Sequence, residues 1–166
     1  MIGAEGPPVT VVTGAVRAAP YLVEWVAWMQ VVGAARVIAV TFADSAGDGP
    51  DDTAGACLLD RLAARGLLTH LRATGEAPTD HAAAALRHAT ERGILRDGDW
   101  VLPCGTDEFP DLGGRGPLSA LVATSAADAI LLPRRLMGSG GARDYAPRPV
   151  TQRFPRGARL RRPETP

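Results

Sequence analysis

The chain contains no lysine, and its 18 basic residues, all arginine, are balanced by 18 acidic residues. Because the formal net charge is zero, no global field attracts nucleic acid or an anionic membrane, and we predict no nucleic-acid partner. Only two cysteines are present, Cys57 and Cys104, and their separation matches no metal-binding motif. We therefore expect two reduced thiols and a cytoplasmic location.

Long apolar segments are also missing, and none approaches the roughly 20 residues that cross a bilayer, so we predict no transmembrane segment. The first eight residues lack the basic start and apolar stretch of a secretion signal. Without lysine there is no phosphate loop of the G-x-x-x-x-G-K-[ST] type, and neither G-x-S-x-G nor H-E-x-x-H occurs. These absences argue against P-loop nucleotide switches and the common hydrolases.

The apolar pattern alternates between the periods of strands and helices. It predicts strands at 9–14, 37–42, 67–71, from residue 100 and at 128–133, with helices from 20, at 57–65, 82–92 and 118–124. This alternation predicts an α/β fold with a single, mostly parallel sheet flanked by helices. Residues 155–166 are rich in arginine and proline, and we expect a disordered tail there.

The most informative segment is the apolar run from Trp100, which ends in two adjacent carboxylates, Asp107 and Glu108. Parallel α/β sheets bind ligands beyond the carboxyl ends of their strands, where these acids are expected to lie. Carboxylate oxygens there suit a hard divalent cation, which in turn suits a phosphate-bearing substrate. The alternative is a polar loop that turns the chain away from the sheet.

Two other loops are expected at the same edge of the sheet. Asp44 and Asp48 follow the second strand and suit a ligand with several hydrogen-bond donors, such as a nucleoside, although Asp48-Gly49 is also a common turn. Arg17 follows the first strand and suits a phosphate, although a loop arginine is more often only solvated. The three histidines have no metal-ligand spacing, and we interpret them as structural.

Five segments in one order resemble the bacterial family 2 glycosyltransferases, in the branch similar to the family 92 enzymes. Members of that branch typically read VRNEAPYLLEWVAWH, NDCSDGT, DWVLPLDVDEFL, WRLFGSGG and RPVTERF. This chain reads VRAAPYLVEWVAW at 16–28, DG at 48–49, DWVLP at 99–103 with DEF at 107–109, RRLMGSGG at 134–141 and RPVTQRF at 148–154. Within this resemblance, Gly105 stands where the family has the first aspartate of its D-x-D motif, and two alanines replace the family's Asn-Glu near Arg17.

The resemblance implies a GT-A fold over residues 1–154, short at its C-terminal side, that transfers a sugar from a UDP- or GDP-linked donor to an unknown acceptor. It implies Mn²⁺ or Mg²⁺ at Asp107, with Glu108 as the remaining carboxylate, and a nucleotide-sugar site at Arg17, Asp44, Asp48 and Asp107. No catalytic base can be assigned. The alternative that the missing motif residues leave open is a non-catalytic GT-A domain acting as a binding or scaffold protein.

Overall fold

The computed structural model describes residues 6–14, 21–42, 50–74, 78–144 and 146–157, with residues 50–54 described by backbone alone. The chain divides into two compact units, residues 1–126 and 127–166. The first unit contains β1 (Val9–Gly14), α1 (Leu22–Val31), β2 (Arg36–Phe42), α2 (Pro50–Ala63), β3 (Thr69–Ala73), α3 (His81–Glu91), β4 (Trp100–Pro103) and α4 (Leu118–Ala123). The second contains the short helix α5 (Val150–Arg153) and an isolated antiparallel bridge between Met137 and Gly157.

The first unit is built on a four-stranded sheet of order β3-β2-β1-β4, and every strand pair in it is parallel. The predicted α/β architecture is confirmed at this level. Helix α2 begins at Pro50, earlier than the sequence pattern indicated, which agrees with the preference of proline for the first turn of a helix.

The predicted fifth strand is wrong, because residues 128–133 are irregular and Leu131 is 92% exposed. Proline in β4 agrees with the place of this strand at the edge of the sheet in the described residues. The N–H of Cys104 donates to the carbonyl of Val12 at 3.0 Å, so the preceding residue of β4 turns its amide nitrogen away from β1. That residue is Pro103, which has no N–H to offer, and proline is typical of an edge strand.

Both faces of the sheet are covered. On one face Val12, Ile38 and Val40 form a core cluster with Ala85 and Ala89 of α3. The strand residues that point the other way are just as buried; they are Val11, Val37 and Ala39. Since parallel strands are joined by right-handed crossovers, the opposite directions of the β1–β2 and β3–β4 connections put α1 and α3 on opposite faces.

Helix α1 carries its core residues on one side, at Leu22, Trp25, Val26 and Met29, a spacing of three and four that matches the helical period. Gly33 follows this helix with a φ of +79°, a conformation in which a side chain is strained. This is the helix end that the sequence predicted.

Candidate functional site

The strand order places a topological switch point between β1 and β4. From β1 the chain moves outward to β2 and β3, then crosses back over the sheet to place β4 on the other side of β1. Open α/β sheets bind their ligands at such a point, beyond the carboxyl ends of the strands. The residues that follow β4, including Asp107, therefore lie at the edge where an α/β sheet binds its ligands.

A tight turn, Gly105–Glu108, carries the two predicted carboxylates, and we name it the carboxylate turn. The N–H of Glu108 donates to the carbonyl of Gly105 at 3.0 Å, which closes the backbone of the turn. Its side chain closes the turn a second time, because Oε2 accepts the N–H of Gly105 at 2.8 Å. Asp107, at the tip, is exposed, whereas Glu108 is half-buried.

Helix α1 holds the segment that contains this turn through two indole groups. Nε1 of Trp25 donates to the carbonyl of Glu108 at 2.9 Å, and Nε1 of Trp28 donates to the carbonyl of Pro110 at 2.8 Å. The ring of Trp28 also meets Phe109 edge-on, with 6.1 Å between centroids. A three-residue separation puts both tryptophans on one side of the helix, so the turn is fixed to a rigid element rather than left as a free loop.

Cys104 directly precedes the carboxylate turn and is buried. Its thiol donates to the carbonyl of Glu108 at 3.5 Å, where the Trp25 indole also donates. Burial raises the pKa of the Cys104 thiol to about 12, and the negative charge of Glu108 adds to the rise. At neutral pH this residue is therefore a neutral packing group rather than a nucleophile or a thiolate ligand.

His81, which sequence reasoning treated only as structural, lies at the same edge of the sheet. A Cβ added to Gly14, the last residue of β1, would come within 2.4 Å of the His81 carbonyl, so the start of α3 rests directly on β1. The imidazole meets Phe42, the last residue of β2, edge-on at 5.7 Å. Its Nδ1, like the hydroxyl of Thr13, is buried and has no hydrogen-bond partner in the described part of the chain. Buried polar atoms are normally paired, so each of these two atoms, which lie on opposite faces of β1, is expected to have a polar partner of its own.

The remaining predicted site residues, Arg17, Asp44 and Asp48, lie outside the described residues. They follow β1 and β2, which end at the same edge as β4 because all three strands are parallel. The structure thus adds no geometry for these three, and their grouping with Asp107 stays a prediction.

The described residues do not fit the divalent cation that the resemblance implies. They contain no group of three or more His, Cys, Asp or Glu side chains that could hold a metal ion. Gly105 offers no ligand, and Oε2 of Glu108 is already bonded within the turn. That leaves the carboxylate of Asp107 and the second carboxylate oxygen of Glu108, so the turn offers fewer side chains than the group of three that would hold a cation without help from a ligand.

A second polar cluster joins α2 to β2 and β3, the two strands of the sheet that lie away from β4. The side chain of His70 is 3% exposed; its Nδ1 lies 2.7 Å from Asp60 Oδ1 and its Nε2 3.0 Å from the Thr41 hydroxyl. Since a carboxylate only accepts, Nδ1–H donates to it. This hydrogen bond, with a second from Arg72, lowers the pKa of Asp60 below its usual range. Both nitrogens of the imidazole are occupied, which indicates a structural role.

Comparison with known proteins identifies no relative: no family model, no curated protein and no solved structure matches this chain. No helix in the described residues is both long enough and apolar enough to cross a membrane.

Proposed function

We propose that the chain is a glycosyltransferase-like GT-A domain that binds a nucleotide sugar at the β1–β4 edge. The observation that carries the proposal is the placement of Asp107. It is an exposed carboxylate at the switch point of a parallel sheet, on a turn that two tryptophan N–H groups fix to α1. A rigidly held acceptor at this edge suits the hydroxyl or amide donors of a nucleoside or sugar.

The ordered sequence motifs support the nucleotide-sugar assignment. One of them contains Asp107 and Phe109, in the segment that directly follows β4. Transfer of the sugar to an acceptor is the activity that the resemblance implies, and the two free thiols agree with the proposed cytoplasmic location.

Calorimetric titration of the full chain with UDP-glucose and GDP-mannose tests this function. We expect one of the two classes to bind, and Asp107→Ala to weaken binding roughly tenfold to hundredfold, the value of a hydrogen bond to a charged group. Asp97→Ala is the matched control, because Asp97 is an exposed aspartate that precedes β4 and lies toward the opposite edge. Equal losses in both variants, or no binding of either class, would refute the proposal.

A non-catalytic binding protein is the second candidate, and one observation favours it. The carboxylate of Glu108 is bonded to the N–H of Gly105, where a transferase of this kind is expected to carry an aspartate. This candidate predicts nucleotide-sugar binding with neither hydrolysis of the donor nor transfer to any acceptor. Release of UDP or GDP by the wild type at a higher rate than by Asp107→Ala would favour the enzyme over the binding protein.

A further inference from the structure

The backbone and the side chain of Glu108 are both hydrogen-bonded within the carboxylate turn. Its backbone N–H and its side-chain Oε2 both bond Gly105, one to the carbonyl at 3.0 Å and the other to the N–H at 2.8 Å. Its carbonyl accepts from Trp25 and from the thiol of Cys104. The backbone N–H, the carbonyl and the side chain of Glu108 are thus all hydrogen-bonded to other groups of the protein.

Turning Oε2 toward a cation would break its bond to the Gly105 N–H. A hydrogen bond to a charged group contributes roughly tenfold to hundredfold to an equilibrium, so the closed turn competes with a metal by about that factor. Gly105 is half-buried, which limits the access of water to the N–H that would be exposed. Asp107 is then the exposed carboxylate of the turn.

Gly105 determines how many carboxylates the turn can present. A Cβ built at this residue would lie 2.6 Å from Asp107 Oδ1 and 3.5 Å from Glu108 Oε2. The nearest atom is the end of a flexible side chain, and φ at Gly105 lies outside the left-handed range, so another residue can occupy this position. An aspartate there would bring a second carboxylate beside the first.

We propose that the carboxylate turn holds no divalent cation and that Glu108 is a positioning residue that presents Asp107 as a single hydrogen-bond acceptor. This statement concerns the turn by itself, because a bound diphosphate would bring its own oxygen ligands to a cation. The identity of the ligand rests on the function proposed above, whereas the statement about the cation rests on Gly105, Asp107 and Glu108 alone.

Titration of the full chain with Mn²⁺, followed by the electron paramagnetic resonance signal of the free ion, tests the cation. We expect no binding by the wild type below about 1 mM, in keeping with one carboxylate, and at least tenfold tighter binding by Gly105→Asp. Gly105→Ala is the control, since it adds the Cβ without the carboxylate. Micromolar binding by the wild type that Asp107→Asn abolishes would overturn the proposal, and so would a Gly105→Asp variant that binds no better than Gly105→Ala.

The role of Glu108 is tested by two substitutions at that residue. Glutamine retains an oxygen that can accept the Gly105 N–H, so Glu108→Gln should recover most of the melting temperature that Glu108→Ala loses. A Gln variant as unstable as the Ala variant would overturn the positioning role.

Failure of this proposal is distinguishable from failure of the proposed function. The Mn²⁺ titration contains no nucleotide, so a chain that binds neither nucleotide sugar nor Mn²⁺ refutes the function and supports the inference. A chain that binds a nucleotide sugar, and that without nucleotide also binds micromolar Mn²⁺ in a way that Asp107→Asn abolishes, supports the function and overturns the inference.

Discussion

Replacing Trp25 by phenylalanine should remove the main attachment of the carboxylate turn. Trp25 is fully buried, and its Nε1 donates to the Glu108 carbonyl at 2.9 Å. Losing this donor leaves the part-buried carbonyl with only the weak thiol donor of Cys104, which costs about 1–3 kcal/mol, and the smaller ring adds about 1 kcal/mol for the space it leaves. We therefore expect Trp25→Phe to lower the free energy of unfolding by about 2–4 kcal/mol.

Urea denaturation followed by circular dichroism measures this loss, with Trp28→Phe as the matched comparison. Trp28 makes a bond of the same kind to Pro110, at 2.8 Å, but it is only half-buried. Its loss should therefore be about 0.5–1.5 kcal/mol. In thermal scans Trp25→Phe should melt about 5–15 °C below the wild type, from the usual 2–4 °C per kcal/mol for a chain of this size. Equal losses in the two variants, or a loss below about 1 kcal/mol for Trp25→Phe, would refute the claim that the buried indole holds the turn.

Three further outcomes follow from individual contacts. Because burial raises the pKa of Cys104 to about 12, only the exposed Cys57 should react with Ellman's reagent in the native protein at pH 8, and a second equivalent should appear on unfolding. An alanine at Gly14 would place its Cβ 2.4 Å from a backbone carbonyl at the start of α3, so Gly14→Ala should cost about 1–3 kcal/mol in urea denaturation; a neutral effect would contradict this close approach. Since the hydrogen bond from His70 lowers the pKa of Asp60, this carboxylate stabilises the fold above its unfolded value of about 4, and the contribution is lost as pH falls through the lower folded value. Asp60→Asn should therefore be less stable than the wild type at pH 7, and the difference should shrink below pH 4 in urea titrations. A difference that does not depend on pH would exclude the charge of Asp60 as its source.

The strands and helices of the first unit could largely be predicted from the sequence because each is marked locally. The observed bounds of β1 are the predicted ones, 9–14, and α3 begins one residue from its predicted start. Apolar periodicity reports which side of an element is buried, and a glycine such as Gly33 reports where a helix ends. Both signals lie within a short window of sequence.

The number of strands depended on information that periodicity does not contain. Residues 128–133 have the composition of a strand, but a strand also needs an edge that offers donors and acceptors. Pro103 removes one donor from the free edge of β4, and this is visible only once the register of Cys104 with Val12 is known. A proline inside a predicted strand was the available signal for an edge strand.

The hydrogen bonds that attach the carboxylate turn to α1 could not be predicted from the sequence for a related reason. The spacing of Trp25 and Trp28 indicates one face of a helix, which is equally expected of plain core residues. Their indole N–H groups bond carbonyls 83 and 82 residues away, and sequence spacing does not encode contacts of that separation. His81 was missed likewise, since its contact with Gly14 forms only after α3 crosses the sheet.

The residue at position 105 and the placement of the Glu108 side chain are coupled. With glycine at 105, the turn closes when Glu108 Oε2 accepts its N–H. With aspartate there, a Cβ 3.5 Å from the same Oε2 would bring a second negative charge against Glu108 and favour its release toward a cation shared with Asp107. Glu108→Gln should then leave Mn²⁺ binding unaltered in the wild type and weaken it severalfold in the Gly105→Asp background. A double-mutant cycle with no coupling between the two residues would show that Glu108 is held in place independently of residue 105.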